Sequence, residues 1–462
     1  MNYLTLEYGL LVGAAAAVYY LLPMHRRWIA LLAGSVCFYV LASPKSVPVM
    51  TWMIVSSWLF SKKLKGNRPL LFISIAVSVF PFFAHLLSQA ASLSLPSFIL
   101  PLGLSYVSLQ IIAYLSDCMH ARIEPEKNLL QYILFVSFFP QVVQGPIPRY
   151  ARLAPMLKEG HAFEEENFQR GFLKILLGLF LKFMIADRAG IAANTYYAEA
   201  GVYTGWAAWL GTSLYLVQLY ADFLACVLLS QGAARFFGIV LEDNFDHPFT
   251  SQSNAEIWRR WHITLGAWLR DYIFFPLGGS RKGEVRRWFN LCMVFVVSAL
   301  WHGVSLTYLA WGLINVVYQF IGAMTLKARD HFWEVIHGSP LLKKRTRQVI
   351  TVIMFVLSSV LFRSYGFRTV LRNLQSLVQF HPLPEETGFL GLSGIEWILL
   401  VLAFAAFAIL QHFNQVMDPE AMVIRWKWPV RFGFFLLVIL VIMVFGTYGF
   451  GYDAQAFIYG EF

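Results

Sequence analysis

Residues 129–148, LLQYILFVSFFPQVVQGPIP, decide how this chain is threaded. The segment is apolar and long enough to cross a bilayer, because a helix needs roughly 20 such residues to span a hydrocarbon core of about 30 Å. Its second half, however, carries Pro140, Gly145, Pro146 and Pro148, which break a helix. If the segment crossed, Arg149, Arg152 and Lys158 would land on the outer side, against the excess of Lys and Arg that cytoplasmic loops carry. A re-entrant element that dips in and returns satisfies both constraints, provided neighbouring helices cover its irregular backbone.

Working outward, the composition calls for the same environment. Hydrophobic residues make up 58% of the chain, aromatic residues 17% and charged residues 13%. With a mean hydropathy of +0.59, there is more apolar surface than one soluble core can hide. The expected fold is an all-α polytopic membrane protein, one integral membrane domain over residues 1–462 with no soluble domain. Apolar spans are expected near 7–22, 28–42, 46–60, 69–88, 98–117, 168–186, 206–229, 289–303, 305–324, 349–363, 396–412 and 432–449, about eleven or twelve in all. Arg26 and Arg27 follow the first run, and Lys62, Lys63, Lys65 and Arg68 follow the third. Two spans separate these loops, so they share a side, which the charge rule makes cytoplasmic; the N-terminus is then outside and Ser43-Pro44-Lys45 is an outer turn. The same parity makes the basic stretches 231–288 and 327–348 cytoplasmic. These loops account for the formal charge of +10 without nucleic-acid binding. Glu7 in place of a basic leader, with no small-residue cleavage site after it, reads as a retained first span. Cys37, Cys118, Cys226 and Cys292 lack the spacing of a disulfide or metal framework.

Two segments read as helices lying in the interface, 254–275 and 365–380, the latter with Arg368 and Arg372. The first belongs to the densest polar chemistry in the chain, NAEIWRRWHITLGAWLRDYIFFPLGGSRKG (254–283). Trp258, Trp261, His262, Leu265, Trp268 and Leu269 recur at helical spacing, and Arg259, Arg260 and Arg270 leave that face. Ser253 or Asn254 can cap its start, and Pro276 with Gly278-Gly279 ends it. The arginines suit lipid phosphates as well as a ligand, and His262 suits a structural as well as a chemical role. In LGGSRKG, unobstructed backbone N–H groups beside Arg281 and Lys282 could cradle a phosphate, although an ordinary interfacial turn has the same composition.

SALWHGVS (298–305) puts His302 inside an apolar run. An ionisable residue at that depth is costly and by default marks function. Burial disfavours the imidazolium, and a neutral imidazole can act as a general base. Gly303 admits close approach and Trp301 can form a wall; a core histidine hydrogen-bonded to a neighbouring helix is the plainer alternative. His262 lies forty positions earlier, far enough for its helix to fold beneath the bundle and for the pair to share a chamber.

The run EIWRRWHITLGAWLRDYIFFPLGGSRKG followed by SALWHG resembles the signature of the membrane-bound O-acyltransferase (MBOAT) family. Within it, the chain is most similar to the bacterial branch that O-acetylates alginate, and less so to the branch that D-alanylates teichoic acid. LGLSYVSLQIIAYLSD (102–117), FVSFFPQVVQGPIPRY (135–150) and EDNFDHPF (242–249) extend the resemblance over roughly 100–325. One stretch departs: where that branch has an Asp-Phe-Ser-Gly-Tyr-Ser-Asp-like run, this chain reads QLYADFLACVLLSQG (218–232), keeping Asp222 and Phe223 only.

The resemblance implies a ring of helices around a thinned centre, with His302 and His262 as the catalytic pair. Trp301, Gly303, Trp261 and Asp271 are expected along the substrate channel, and Arg259, Arg260, Arg281 and Lys282 against the phosphates of an acyl-CoA donor, acetyl-CoA by preference. No metal or resident cofactor is implied. Expected partners are membrane lipids, an extracytoplasmic protein of the serine-hydrolase type and a polysaccharide as final acceptor, in a bacterial cytoplasmic membrane. D-alanyl transfer from a carrier-protein thioester, a transporter of polysaccharide or lipid-linked sugar, and a membrane scaffold are the competing functions. A transporter predicts broken helices in corresponding halves; a scaffold has no need of buried histidines.

Overall fold

The computed structural model describes residues 2–96, 100–199, 201–381 and 389–448. Helices α1 (Leu6–Leu21), α2 (Arg27–Ala42), α3 (Val47–Ser61), α4 (Arg68–Ser78), α5 (Phe80–Ala90) and α6 (Leu104–Met119) lead to α7 (Leu129–Ser137), which stops short of Pro140. They are followed by α8 (Tyr150–Glu159), α9 (Glu165–Phe180), α10 (Asp187–Ala198), α11 (Trp206–Arg235), α12 (Asn254–Arg260), α13 (Ile263–Leu269) and α14 (Glu284–His302). The chain continues through α15 (Leu306–Met324), α16 (Leu326–Val335), α17 (Pro340–Arg363), α18 (Phe367–Ser376), α19 (Gly394–Asn414), α20 (Pro419–Ile424) and α21 (Trp428–Phe445). The described residues form an all-α architecture.

The segment after α7 is irregular and buried, and its backbone finds partners on other elements. Ser35 accepts the Phe139 N–H at 3.2 Å and Thr264 accepts that of Ile147 at 3.0 Å, while Gln110 donates to the Phe135 carbonyl in the last turn of α7 at 2.7 Å. These bonds permit non-helical backbone at bilayer depth. Gly103, at φ +73°, lies so close that a Cβ there would sit 2.2 Å from the Val142 carbonyl oxygen. Glu126, just before α7, accepts hydrogen bonds from Tyr150 and Lys158 of α8. The segment therefore enters and leaves at one end of the bundle. Gly66 donates to the Met119 carbonyl at 2.9 Å and Trp58 to that of Glu126 at 2.7 Å, so the basic 62–68 loop gathers at the same end.

This anchor has a calculable pH response. Burial raises the Glu126 carboxyl, but the bonds from Lys158 and Tyr150 outweigh it and hold the group below its ordinary value of 4.5. A depressed folded-state value contributes stability above the unfolded value and loses it as pH falls through the folded one. Thermal stability in detergent is expected to fall below about pH 4.5 in the native protein. Glu126→Gln loses about 1.5–3 kcal/mol at neutral pH, the worth of hydrogen bonds to a charged group, and flattens the acid limb.

Among the described residues five helices, α11, α15, α17, α19 and α21, are long and apolar enough to cross by themselves, or up to seven spans if each bent pair counts once. The other expected spans fall on helices that are shorter, bent or interrupted or, for the 19-residue α14 with Arg286 and Arg287 near its start, less apolar. The expected span 69–88 is bent, not straight: α4 and α5 meet at 66°, because Pro81 cannot continue α4 and restricts Phe80 before it. α2 and α3 turn by 109° about Ser43. α11, 30 residues and therefore about 45 Å long, is the central pillar. Its apolar window is 83% buried, against 6% for peripheral α21. α9 crosses α11 at Gly171 and Gly232, where a Cβ on either would meet the other's carbonyl oxygen at 2.8 or 2.6 Å; such small residues allow close helix contact in membranes. The expected surface helix 365–380 appears as α18 with Arg368 and Arg372 exposed.

Candidate active site

The helix expected to run unbroken over 254–275 is in fact broken at His262, and the break builds the site. α12, capped by Ser253, ends at Arg260, and α13 begins at Ile263. Between them His262 adopts φ 48°, ψ 54°, left-handed backbone that a non-glycine residue enters at a cost of order 1–3 kcal/mol. Residues 244–246 hold it there. Ile263 donates to the Asn244 carbonyl and Asp246 to the Arg260 carbonyl, each at 3.0 Å. The buried Asn244 side chain accepts from the Thr264 hydroxyl at 2.6 Å and its N–H at 3.1 Å. This segment lies inside the protein rather than on a lipid surface, because its tryptophans have protein to pack against: Trp261 is 4% exposed and Trp268 3%.

His262 is buried against Phe223 and Trp301, at ring-centroid distances of 4.7 and 6.0 Å. Neither of its ring nitrogens has a hydrogen-bond partner among the described residues. A buried polar group left so typically costs about 1–3 kcal/mol. His302 closes α14, also buried, with Trp301, Phe362 and Trp311 at 4.8, 5.0 and 5.5 Å. Gly303 follows at φ 152°, ψ 159°, a conformation essentially confined to glycine. A Cβ there would meet the Tyr308 ring at 2.9 Å.

Three cavities in series share these residues as walls. The first, about 260 Å³, is largely apolar, lined by Trp258, Trp261, His262, Leu265 and Phe295, with the exposed Arg259 and Arg270 also on its wall. The second, about 30 Å³, touches both His262 and His302 together with Trp261, Ser298, Ser358 and Ser359. The third, about 260 Å³ and more polar, is lined by Trp301, His302, Gly303, Ser105, His85 and Gln89. It reaches Ser43, at the opposite end of α2 from Arg27. The arrangement offers an apolar way in, a narrow neck between two imidazoles and a polar way out.

The remaining candidates disperse. Arg260 turns to Glu256 at 2.8 Å and to the Thr250 hydroxyl at 3.1 Å. Arg281 and Lys282 are exposed in the turn after the π-helical Arg270–Phe274, outside the lining of the three cavities. Asp271 binds Arg149 at 3.0 Å, and the Arg149 guanidinium lies 4.5 Å over the Tyr272 ring. That contact holds the end of the re-entrant segment instead of lining the channel. Phe223 and Asn244 set the surroundings of His262; beyond their place inside the ADF (221–223) and EDNFDHPF stretches, nothing in the sequence alone gives either a role at the site.

A model of the membrane-bound O-acyltransferase family matches residues 50–362. The chain belongs to the membrane-bound O-acyltransferase family. The match runs from α3 to α17 and takes in both histidines. Among membrane-bound O-acyltransferase relatives, the probable alginate O-acetylase AlgI of Pseudomonas syringae pv. tomato is 31% identical over 327 residues, 70% of this chain and 61% of that protein. The chain thus spans less than two thirds of the length of these alginate O-acetylase relatives. The peptidoglycan O-acetyltransferase of Helicobacter pylori is 28% identical over 82% of this chain and 80% of that protein. The teichoic acid D-alanyltransferase of Bacillus subtilis is 28% identical over 52% and 62%.

Proposed function

We propose that this chain takes an acyl group from a cytoplasmic thioester, acetyl-CoA, and passes it through the membrane for O-acetylation of an extracytoplasmic polysaccharide, with a serine-hydrolase-type protein as partner. The single observation that carries this reading is the neck between His262 and His302, with an apolar cavity behind one and a polar cavity in front of the other. The thioester's acyl end enters the apolar cavity. Arg259 and Arg270 take the donor phosphates as charge-assisted hydrogen-bond donors, and Arg281 and Lys282 add exposed positive charge. His302 removes the proton from the acceptor hydroxyl, whose oxygen attacks the thioester carbonyl; the C–S bond breaks, and the thiol leaves carrying a proton. An N–H of His262 steadies the developing oxyanion, which gives its unpartnered nitrogens a purpose. Apolar walls exclude water and limit thioester hydrolysis.

In this reading the protein sits in a bacterial cytoplasmic membrane with its N-terminus outside. Acetyl is preferred to D-alanyl because the O-acetyltransferase relatives align over more of the chain. The transporter reading is less favoured, since the two bent apolar helix pairs among the described residues both fall within the first 90 residues and not in corresponding halves. The test uses purified protein in sealed vesicles with radiolabelled acetyl-CoA offered on one side. Free thiol should appear on the donor side, with labelled ester forming only when an acceptor alcohol is on the opposite side. Thiol release without transfer to the far side would sink the trans-membrane reading, and absence of thiol release would sink the acyltransferase reading.

A further inference from the structure

The outer cavity holds a hydrogen-bonded line that the transfer chemistry has not used. Val304, two residues beyond His302, donates its backbone N–H to Oε1 of Gln89 at 3.1 Å. Gln89 Nε2 lies 3.0 Å from Nε2 of His85, one turn earlier on α5. A backbone N–H can only donate, so the Gln89 oxygen faces Val304 and its NH₂ faces the imidazole. His85 Nε2 is therefore the acceptor of that contact, and Nδ1 carries the hydrogen. The ring that lines the cavity beside His302 thus has one N–H to offer an incoming oxygen.

We propose that His85 and Gln89 are the acceptor-recognition element of this site and that the alcohol they receive directly is a saccharide unit, so that the partner protein presents the sugar instead of taking the acyl group on its own serine: His85 Nδ1–H bonds an oxygen of the acceptor, and Gln89 ties that event to the His302 turn. The inference rests on the acyltransferase reading above. Size and chemistry together favour a sugar. A cavity of about 260 Å³ has room for roughly nine waters, enough to admit a six-membered polyol ring. Ser43, Ser105, His85 and Gln89 supply polar contacts opposite the apolar Phe82 and Leu86, as a ring with hydroxyl edges and C–H faces requires. Gln89 is a positioning residue: its oxygen lies 3.4 Å from where a Cβ on Gly303 would sit, so it borders the glycine that lets the chain turn directly after His302.

The full chain in nanodiscs is assayed for thiol release from acetyl-CoA, with methyl glucoside, glycerol or N-acetylserine amide as acceptor. Both polyols should accelerate release in the native protein and the serine amide should not. His85→Ala should raise the KM for methyl glucoside about tenfold, the worth of one hydrogen bond, and move KM more than kcat. Gln89→Leu should lower kcat instead, and Gln89→Glu, which restores an acceptor for Val304, should recover it. The KM for acetyl-CoA reports that each variant is folded. Acceleration by the serine amide alone, no acceleration by either polyol, or a His85→Ala loss confined to kcat would each overturn the proposal. A native protein that releases no thiol under any condition would mark failure of the acyltransferase reading itself.

Discussion

Replacing His302 by alanine is expected to lower acyl transfer by about 10²–10⁴-fold, the usual contribution of a positioned general base, with the protein still folded. Fluorescence-detected gel filtration and thiol release from acetyl-CoA measure the two quantities on the same sample. The ring lies between the neck and the polar cavity, so its loss removes the base but leaves both approaches in place. The KM for the donor should therefore move little while kcat collapses. His262→Gly is the informative companion. Glycine tolerates the left-handed conformation at φ 48° without strain, and it removes two buried ring nitrogens that lack partners among the described residues. Activity should fall, whereas the loss of strain and of an unsatisfied group works toward stability. A structural histidine predicts the reverse, a cold melt with activity retained in the folded fraction. His302→Ala turnover within twofold of the native protein would remove that residue from the chemistry.

The parts of this molecule that composition and charge dictate were readable from the residues. The prolines of 129–148 and the basic residues after them forced a re-entrant reading, and Glu126 joined to Tyr150 and Lys158 is its structural counterpart. The two histidines stood out because ionisable groups are rare at that depth. What the sequence concealed depends on tertiary contacts. The helical periodicity of 254–275 is real on both sides of His262, and no local signal announces the break. It exists because Asn244, eighteen residues upstream, offers hydrogen bonds that a continuous helix would forfeit. Charge likewise attracted attention to Arg260 and Asp271, whose ion pairs with Glu256 and Arg149 become visible only once the chain is folded. In the sequence, Asp222 is only a surviving residue in a stretch that departs from the family's polar run.

In the fold, Asp222 becomes part of a buried ionic cluster, and from it comes the largest expected loss of stability. The helix from Glu165 onward widens into a π-helical turn at Leu181–Ala186, a local insertion that bends a helix. Lys182 there is 2% exposed and places its ammonium 2.8 Å from Asp222 on α11 and 2.9 Å from Asp187. The same turn frees the Phe183 carbonyl to accept from the Thr447 hydroxyl at 2.7 Å. One lysine thus holds the α9–α10 bend to the central pillar close to where the chain beyond α21 docks. Lys182→Met keeps much of the side-chain length and removes the charge, leaving two carboxylates buried together. Breaking a buried pair by deleting one partner typically costs about 3–5 kcal/mol, so the melting temperature in detergent should fall by many degrees. The double variant Lys182→Met, Asp222→Leu should recover part of the loss, because an apolar replacement of similar volume can be neutral. Recovery would separate the electrostatic cost from a packing defect. Unchanged melting of Lys182→Met would mean that water reaches the cluster and that the bend is held by packing alone.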